Sequence, residues 1–519
     1  MDTKALRQKI LDLAIRGKLV PQDPNDEPAS VLLEHIREQK KQMVKDGKLK
    51  PKDIKNDTII FNGDDNLHYE KFQDGTVRCI EDEIPFEVPE GWEWTRLSNI
   101  ASFSGGKTPS TSDKTYWGND VLWVTSKDMK TKYIESSLMM LSDLGAKQLQ
   151  IYPIGTLLMV VRSGILRHTL PLSILSYPAT INQDLKAINF YYNGITEYIY
   201  FCLKAFEKNI LQKYTKAGAT VENIEFNSFK NIILPIAPEK QMESITSKTN
   251  DIEKVFCSIN KSKNSLYHCI NNAKSKILDL AIRGKLVPQD PNDEPASALL
   301  ERIKSEKEKL IKQGKIKRNN KQSVIFKGDD NSYYQDLPEN WQFTSLKEIT
   351  TPLTLNDGDW ILSQNMADIG EVKLLQLGSI GNMVYIDKGF KYLTRDTFNE
   401  LSCTEIFPGY LLINRIISDK MCCCIVPNID GTIITTVDTC WIAPSKTSYD
   451  IKFLMYQFAS PTFQKKVLLK TSGTTRRRIS KNNLINIALL LPPLAEQKRI
   501  VEAIEKIFAA LDDITNQVT

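Results

Sequence analysis

Lys9 to Ser30 reads KILDLAIRGKLVPQDPNDEPAS, and Lys276 to Ser297 reads the same, residue for residue, 267 positions later. Chance does not produce such an identity; it is duplication or recent exchange. Similarity continues through Leu32-Leu33-Glu34 and Leu299-Leu300-Glu301, then Gly47-Lys48 and Gly314-Lys315. It returns at Ile60-Phe61-Asn62-Gly63-Asp64-Asp65-Asn66, answered by Ile325-Phe326-Lys327-Gly328-Asp329-Asp330-Asn331. A period of about 260 residues marks a whole-domain repeat, not a solenoid.

Beyond the repeat the halves diverge, yet landmarks keep their order. Pro89-Glu90-Gly91-Trp92 answers Pro338-Glu339-Asn340-Trp341, and Gly155-Thr156-Leu157-Leu158 answers Gly409-Tyr410-Leu411-Leu412. Asp184 answers Asp438, and Gly218 answers Gly473. The variable stretches are expected to share one fold with different surfaces. A third likeness links LPIAPEKQMESITSKTNDI (Leu234 to Ile252) to LLPPLAEQKRIVEAIEKIF (Leu490 to Phe508). The centre of the chain therefore joins a C-terminal-type element directly to an N-terminal-type element, while the chain ends carry the same two pieces separately. If the ends meet, they rebuild the centre, and pseudo-two-fold symmetry within one chain follows.

The centre carries a heptad. Ile245, Ile252, Ile259, Leu266, Ala273 and Leu280 recur every seven residues, with Phe256, Ile270 and Ile277 at intermediate positions and Thr249 and Lys263 as breaks. This predicts one helix over Glu239 to Arg283, ended by Gly284 and about 65–70 Å long. Such a seam needs partners. The terminal helices supply them, with Leu6, Ile10 and Leu13 at one end and Ile500, Ile504, Ile507, Leu511 and Ile514 at the other. Between the helices, Gly- and Pro-bounded apolar runs such as Thr156 to Val161 and Tyr410 to Ile413 predict buried strands of mixed α/β domains. The expected boundaries are 1–84 (helical), 85–238 (first head), 239–335 (helical), 336–493 (second head) and 494–519 (helical).

The 519 residues exceed what one core serves, and 41 % hydrophobic with 25 % charged residues is an ordinary globular balance. A net charge of +5 permits a polyanionic partner without demanding one. Basic runs stand at Lys40 to Lys55, Lys312 to Lys321 and Arg476-Arg477-Arg478, each also readable as a solvated loop. Nothing resembles a membrane span or a signal peptide, and nine cysteines without a C-x-x-C pair suit reduced thiols in a cytoplasmic protein. No metal spacing is found.

Catalytic signatures are also missing. Gly106-Lys107-Thr108 resembles the end of a phosphate-binding loop, but the required earlier glycine is Ala101. There is no glycine-rich S-adenosylmethionine fingerprint, and no N-P-P- or D-P-P-aromatic tetrapeptide to hold a flipped base. Two related heads on a helical spacer suit recognition of a split site on double-stranded DNA, whose equivalent faces recur once per turn. Candidate contacts in the first head are Ser104, Gly105, Gly106, Lys107, Thr108, Arg162, Ser163, Gly164, Arg167 and Lys216. In the second they are Asn414, Arg415, Lys470, Thr471, Ser472, Gly473, Thr474, Thr475, Arg476, Arg477, Arg478 and Lys481. Gly-Ser-Thr loops let backbone approach phosphate, and arginine can bind guanine in bidentate fashion. The helical frame expected to hold partners is carried by Ile10, Leu13, Ile245, Ile252, Ile259, Leu266, Ile277, Leu280, Ile504 and Leu511.

These residues resemble the specificity (S) subunit of type I restriction-modification enzymes over nearly the whole chain. The resemblance rests on SFSGGKTPSTSDKTYWGNDVLWVTSKDM (Ser102 to Met129), TSGTTRRRISKNNLINIALLLPPLAEQKRIVEAIEKI (Thr471 to Ile507) and the KILDLAIRGKLV repeat. It implies two mixed α/β target recognition domains separated by long antiparallel coiled-coil helices. It implies two methyltransferase (M) subunits on the helices, methylating adenine, and restriction (R) subunits that cleave unmodified DNA, an anti-phage defence. S-adenosylmethionine, ATP and Mg2+ would then sit on partners and none on this chain, which would be a non-catalytic subunit. The sequence departs from the pattern at AGATVENIEFNSF (Ala217 to Phe229), which lacks the arginines, and at TPLTLNDGDW (Thr351 to Trp360), which lacks Gly-Gly-Lys-Thr-Pro. The contact loop of the second head is thereby left undefined. The alternatives are a self-contained DNA-modifying enzyme and a coiled-coil adaptor that never touches DNA.

Overall fold

The computed structural model describes residues 2–216, 221–317, 337–473 and 476–518. The chain forms two compact units, 1–261 and 262–519, whose division falls inside one helix. The second copy of the Ile-Phe-x-Gly-Asp-Asp-Asn motif, together with Gly218, Thr474 and Thr475, lies outside the described residues.

Unit one opens with α1 (Thr3–Ile15), capped by the Asp2 carboxylate on the Lys4 and Ala5 amides, and α2 (Ala29–Lys45). A small antiparallel meander follows: β1 (Ile59–Asn62), β2 (His68–Lys71) and β3 (Val77–Cys79). The head begins at β4 (Glu93–Arg96). Its strands include β5 (Ala101–Gly105), β6 (Val121–Val124), β7 (Tyr133–Ile134), β8 (Leu157–Val160), β9 (Arg162–Ser163), β10 (Leu172–Leu175), β11 (Ala179–Ile181), β12 (Leu185–Phe190), β13 (Thr215–Lys216), β14 (Glu222–Ile224) and β15 (Ile233–Ile236). The central sheet runs β5-β12-β8-β10-β7, and every residue of β8 is buried, as a continuous apolar run requires. β11 pairs in parallel with β6, β9-β14-β13 form a separate ribbon, and β15 pairs with β4. The first part of α3 (Glu239–Ile282) closes the unit.

Unit two repeats this order. After the rest of α3 come α4 (Ala296–Lys312), β16 (Gln342–Ser345), β17 (Leu355–Asp357), β18 (Val372–Leu375), β19 (Leu411–Asn414), β20 (Ile416–Ile417), β21 (Cys423–Ile425), β22 (Thr432–Thr435), β23 (Thr439–Ile442), β24 (Arg477–Arg478), β25 (Ala488–Leu491) and α5 (Leu494–Val518). The sheet order β17-β23-β19-β21 matches β5-β12-β8-β10 strand for strand. β22 lies parallel to β18 as β11 does to β6, β20 pairs with β24 as β9 does with β14, and β16 pairs with β25 as β4 does with β15. The two heads are thus mixed α/β copies of one topology.

The helical frame is antiparallel within each unit. In unit one, Thr3 reaches Asn260 at 3.3 Å and Arg7 pairs with Glu253. In unit two, Lys274 pairs with Asp512 at 2.5 Å and Arg499 with Asp293 at 2.6 Å. The helix of 44 residues spans about 66 Å. Ile245, Phe256, Ile270 and Ile504 are buried. Ile10, Leu13, Ile252, Ile259, Leu266, Ile277, Leu280 and Leu511 are only half-buried. The buried residues on the repeat's helix are instead Leu11, Ala14 and Ile15, and their counterparts Leu278, Ala281 and Ile282. The physical reason is competition for the helix surface: Ala14, Ile15, Leu278 and Ala281 belong to the head cores, so one stripe faces a head and the adjoining stripe the partner helix.

The repeated Gly and the Pro-x-x-Trp landmark explain one another. Gly17 and Gly284 both sit at φ +66°, where a Cβ would meet Pro89 at 2.5 Å and Pro338 at 2.4 Å. The glycine ends its helix and lets the proline pack on it. Trp92 then donates to Gln241 at 2.8 Å, and Trp341 to Glu496 at 2.9 Å. Each joint ties an N-type segment, a head and a C-type helix together.

Candidate nucleic-acid interface

In the first head the candidates converge on the turn between β11 and β12, residues Asn182-Gln183-Asp184. On one side, Lys107 donates its amide to Ile181 O at 3.0 Å, and the Thr108 hydroxyl bonds Gln183. Gly106 is required there, because a Cβ would lie 2.0 Å from Ile181 O. On the other side, Val161 donates to Asp184 O at 2.9 Å, which positions Arg162 on β9. Arg162 stands opposite Asn223 on β14, and Asn223 stands opposite Lys216 on β13. Lys107, Thr108, Arg162 and Lys216 are exposed. Ser163 caps the turn through Ile165 N. Arg167 pairs with the largely buried Glu222 at 2.9 Å, and Lys216 with Glu225 at 2.8 Å, so part of this basic charge is already matched.

Sequence reading missed three supports of this site. Lys186 lies opposite Gly105 on the neighbouring strand. Trp123 donates to Lys107 O at 3.3 Å, and Trp117, packed edge-on to Trp123 at 5.1 Å, donates to Ser110 O at 3.1 Å. The two indoles hold the Gly-Gly-Lys-Thr-Pro loop in shape. Both lie within the Ser102 to Met129 motif, so the signal was in the quoted residues.

In the second head the same turn is Thr436-Val437-Asp438. Arg415 donates its amide to Asp438 O at 2.9 Å, as Val161 does to Asp184 O. Its side chain departs from the expectation of a base-reading arginine. Arg415 is 4 % exposed, and its guanidinium reaches Val437 O, Ile479 O and, at 3.4 Å, Asp357. It positions the turn from below. Burial raises the pKa of the Asp357 carboxyl, while Arg415, Lys481 and Arg478 act against that rise.

The basic surface comes from β24 and its flanks. Ser472 and Arg478 exchange backbone hydrogen bonds at 3.0 and 2.9 Å, closing a hairpin in which Gly473 adopts φ +94°. Arg478 pairs with Asp438 at 3.0 Å and Arg476 approaches it at 3.8 Å, while Arg477 is exposed. Lys481 contacts Asn356 on β17. Asn414 caps Ile416 N at 2.9 Å, and Lys470 O accepts from Asn483 at 3.0 Å.

Register identifies the counterparts. Ile416 faces Arg478 as Arg162 faces Asn223, and Ile479 donates to Arg415 O as Ile224 does to Val161 O. The arginines Arg476, Arg477 and Arg478 therefore occupy the places of Val221, Glu222 and Asn223. The second contact loop, undefined from sequence, is also located. A Cβ on Gly358 would lie 2.4 Å from Thr435 O, and Asp359 donates to that oxygen at 2.9 Å. Gly358-Asp359-Trp360 thus stands where Gly106-Lys107-Thr108 stands in the first head.

Among the described residues, no group of His, Cys, Asp and Glu could hold a metal, and no helix is long and apolar enough to cross a membrane.

Comparison with known proteins agrees with this architecture. Residues 89–276 and 338–519 each match the type I restriction modification DNA specificity domain. The Escherichia coli type I restriction enzyme EcoEI specificity subunit is 25 % identical over 99 % of this chain and 90 % of its own length. The Escherichia coli EcoAI specificity subunit is 28 % identical over 79 % of this chain and 71 % of its own. A solved chain of a type I R-M system shares the fold with a TM-score of 0.52 at 14 % identity, covering 84 % of this chain and 94 % of that one. With both heads matched and relatives aligned along nearly its whole length, the chain belongs to the specificity subunits of type I restriction-modification enzymes.

Proposed function

We propose that each head reads a few base pairs of a bipartite site in double-stranded DNA. The repeated helical frame holds two methyltransferase subunits that methylate adenine, and restriction subunits join that core and cleave unmodified DNA. The chain recognises and does not catalyse; S-adenosylmethionine, ATP and Mg2+ belong to its partners, and the complex works in the cytoplasm. The single observation that carries this is the contrast between frame and heads. The two joints share one plan, a glycine under a proline and a tryptophan donating to the C-type helix, whereas the equivalent positions beside the turn carry Val221-Glu222-Asn223 in one head and Arg476-Arg477-Arg478 in the other. Identical frames suit identical partners, and different surfaces suit different bases.

Lys107, Thr108, Arg162 and Lys216 are the DNA-facing set of the first head, with Gly105, Gly106, Ser163 and Arg167 shaping it. Arg476, Arg477, Arg478, Lys481, Lys470, Ser472, Thr474 and Thr475 are that of the second, with Asn414 and Arg415 in support. Backbone-directed cations position the duplex, and the loop side chains specify bases. The test is methyladenine mapping in cells with and without the chain. One split motif should depend on it, and exchanging residues 85–238 for another head should change one half of that motif only. No motif lost with the chain, or both halves lost from an exchanged complex that still assembles, would overturn the reading.

A further inference from the structure

The two heads present different chemistry from one backbone position. In the first, Lys107 and Thr108 follow Gly106, and both are exposed. In the second, the Asp359 carboxylate is turned back to accept the Thr404 amide at 2.8 Å, and Trp360 is 69 % exposed. Scattered exposed apolar side chains need no explanation; this one stands at the head's contact loop.

Its surroundings are basic. Asp359 O accepts from Val437 N at 2.9 Å, and the next residue, Asp438, holds Arg478 at 3.0 Å. The strand leading into the loop carries Asn356, which contacts Lys481. The indole thus leaves a backbone bonded to the turn whose Asp438 pairs with Arg478 and Arg476. Those arginines would bring a duplex against it.

A duplex offers an indole two kinds of apolar surface. Base faces are covered by stacking, and opening a step is costly. The thymine C5-methyl is the apolar group already displayed in the major groove. We propose that Trp360 is a specificity-determining residue of the second head, its indole covering the C5-methyl of a thymine in the second half-site. This rests on the DNA-reading function above and adds a base preference to it.

The test uses the full chain assembled with its methyltransferase subunits, on duplexes carrying the motif mapped for the wild type. Each thymine of the second half-site is replaced in turn by deoxyuridine, which lacks only the methyl. One replacement should weaken wild-type binding about three- to fivefold, the worth of one buried methyl. Trp360→Ala should weaken binding to the thymine duplex and become indifferent to that replacement, while Trp360→Phe retains part of the discrimination. The idea is overturned if no thymine position responds, or if Trp360→Ala keeps the deoxyuridine response. It is also overturned if the variant weakens cognate and unrelated DNA equally, which marks a backbone contact. A rise in 2-aminopurine fluorescence beside the site in the wild-type complex only would overturn it in favour of a wedge between bases. A wild-type complex without any split motif would instead sink the DNA-reading function itself.

Discussion

Trp341 donates its indole N–H to Glu496 at 2.9 Å, at the place where Trp92 donates to Gln241 at 2.8 Å. The joint is therefore built once around a carboxylate and once around an amide. Glu496 is 1 % exposed and also accepts from Gln289 at 2.7 Å. Burial raises its pKa, against the opposing hydrogen bonds from Trp341 and Gln289.

A raised carboxyl pKa favours folding in the protonated form. That stabilisation is fully present below the ordinary carboxyl range, near pH 4, and is lost as pH rises through the raised value. Glu496→Gln should therefore leave unit two at least as stable as wild type at pH 7, with the advantage vanishing toward pH 4. Glu496→Ala leaves the buried Trp341 indole N–H unpaired and should cost about 1–3 kcal/mol. Denaturant unfolding across this pH range measures both, and a Gln variant markedly weaker at pH 7 would refute the account.

The opposite sign governs the meander. Burial would raise the Glu70 pKa, but Arg96, in bidentate contact at 2.9 and 2.7 Å, with Thr58 and Arg78, holds it at about 2. This stabilisation is present above the ordinary carboxyl range and is lost as pH falls through about 2. Arg96→Ala strands a buried carboxylate and should cost about 3–5 kcal/mol at pH 7, with the deficit shrinking in acid. Arg96→Lys keeps the charge and loses the fork, so it should fall between the two. Thermal melts at pH 7 and pH 3 distinguish these outcomes.

Arg415 and Arg477 should behave as different kinds of arginine. Arg477→Ala should leave the melting temperature unchanged, weaken DNA binding across sequences and lower the salt slope by about one. Arg415→Ala removes the cation beside the partly buried Asp357 and frees Val437 O, so it should destabilise unit two by roughly 2–4 kcal/mol. Calorimetry paired with salt titrations of binding would separate them. Equal stability losses would contradict the placement.

Gly17 and Gly284 should fail alike. Alanine at either meets a proline within 2.5 Å and must hold φ +66°. Each change should cost roughly 1–3 kcal/mol in its own unit. A loss confined to one half would show that the joints are not equivalent.

The sequence by itself determined the repeat, the central helix to within one residue at its C-terminus, and the common topology of the heads. It could do so because identity and heptad spacing are local properties of the chain. Only the tertiary structure decided how that helix divides its surface, since Leu278, Ala281 and Ile282 are buried by contacts no periodicity encodes. The candidate sites divide the same way. Lys107, Arg162 and Arg477 were legible as polar residues at strand ends. That Arg415 turns inward, and that Gly358 and Trp360 replace Gly106 and Thr108, follows from hydrogen bonds to strands about 20 to 80 residues away. With only the glycine shared between the two loops, register in the folded sheet was what revealed their equivalence.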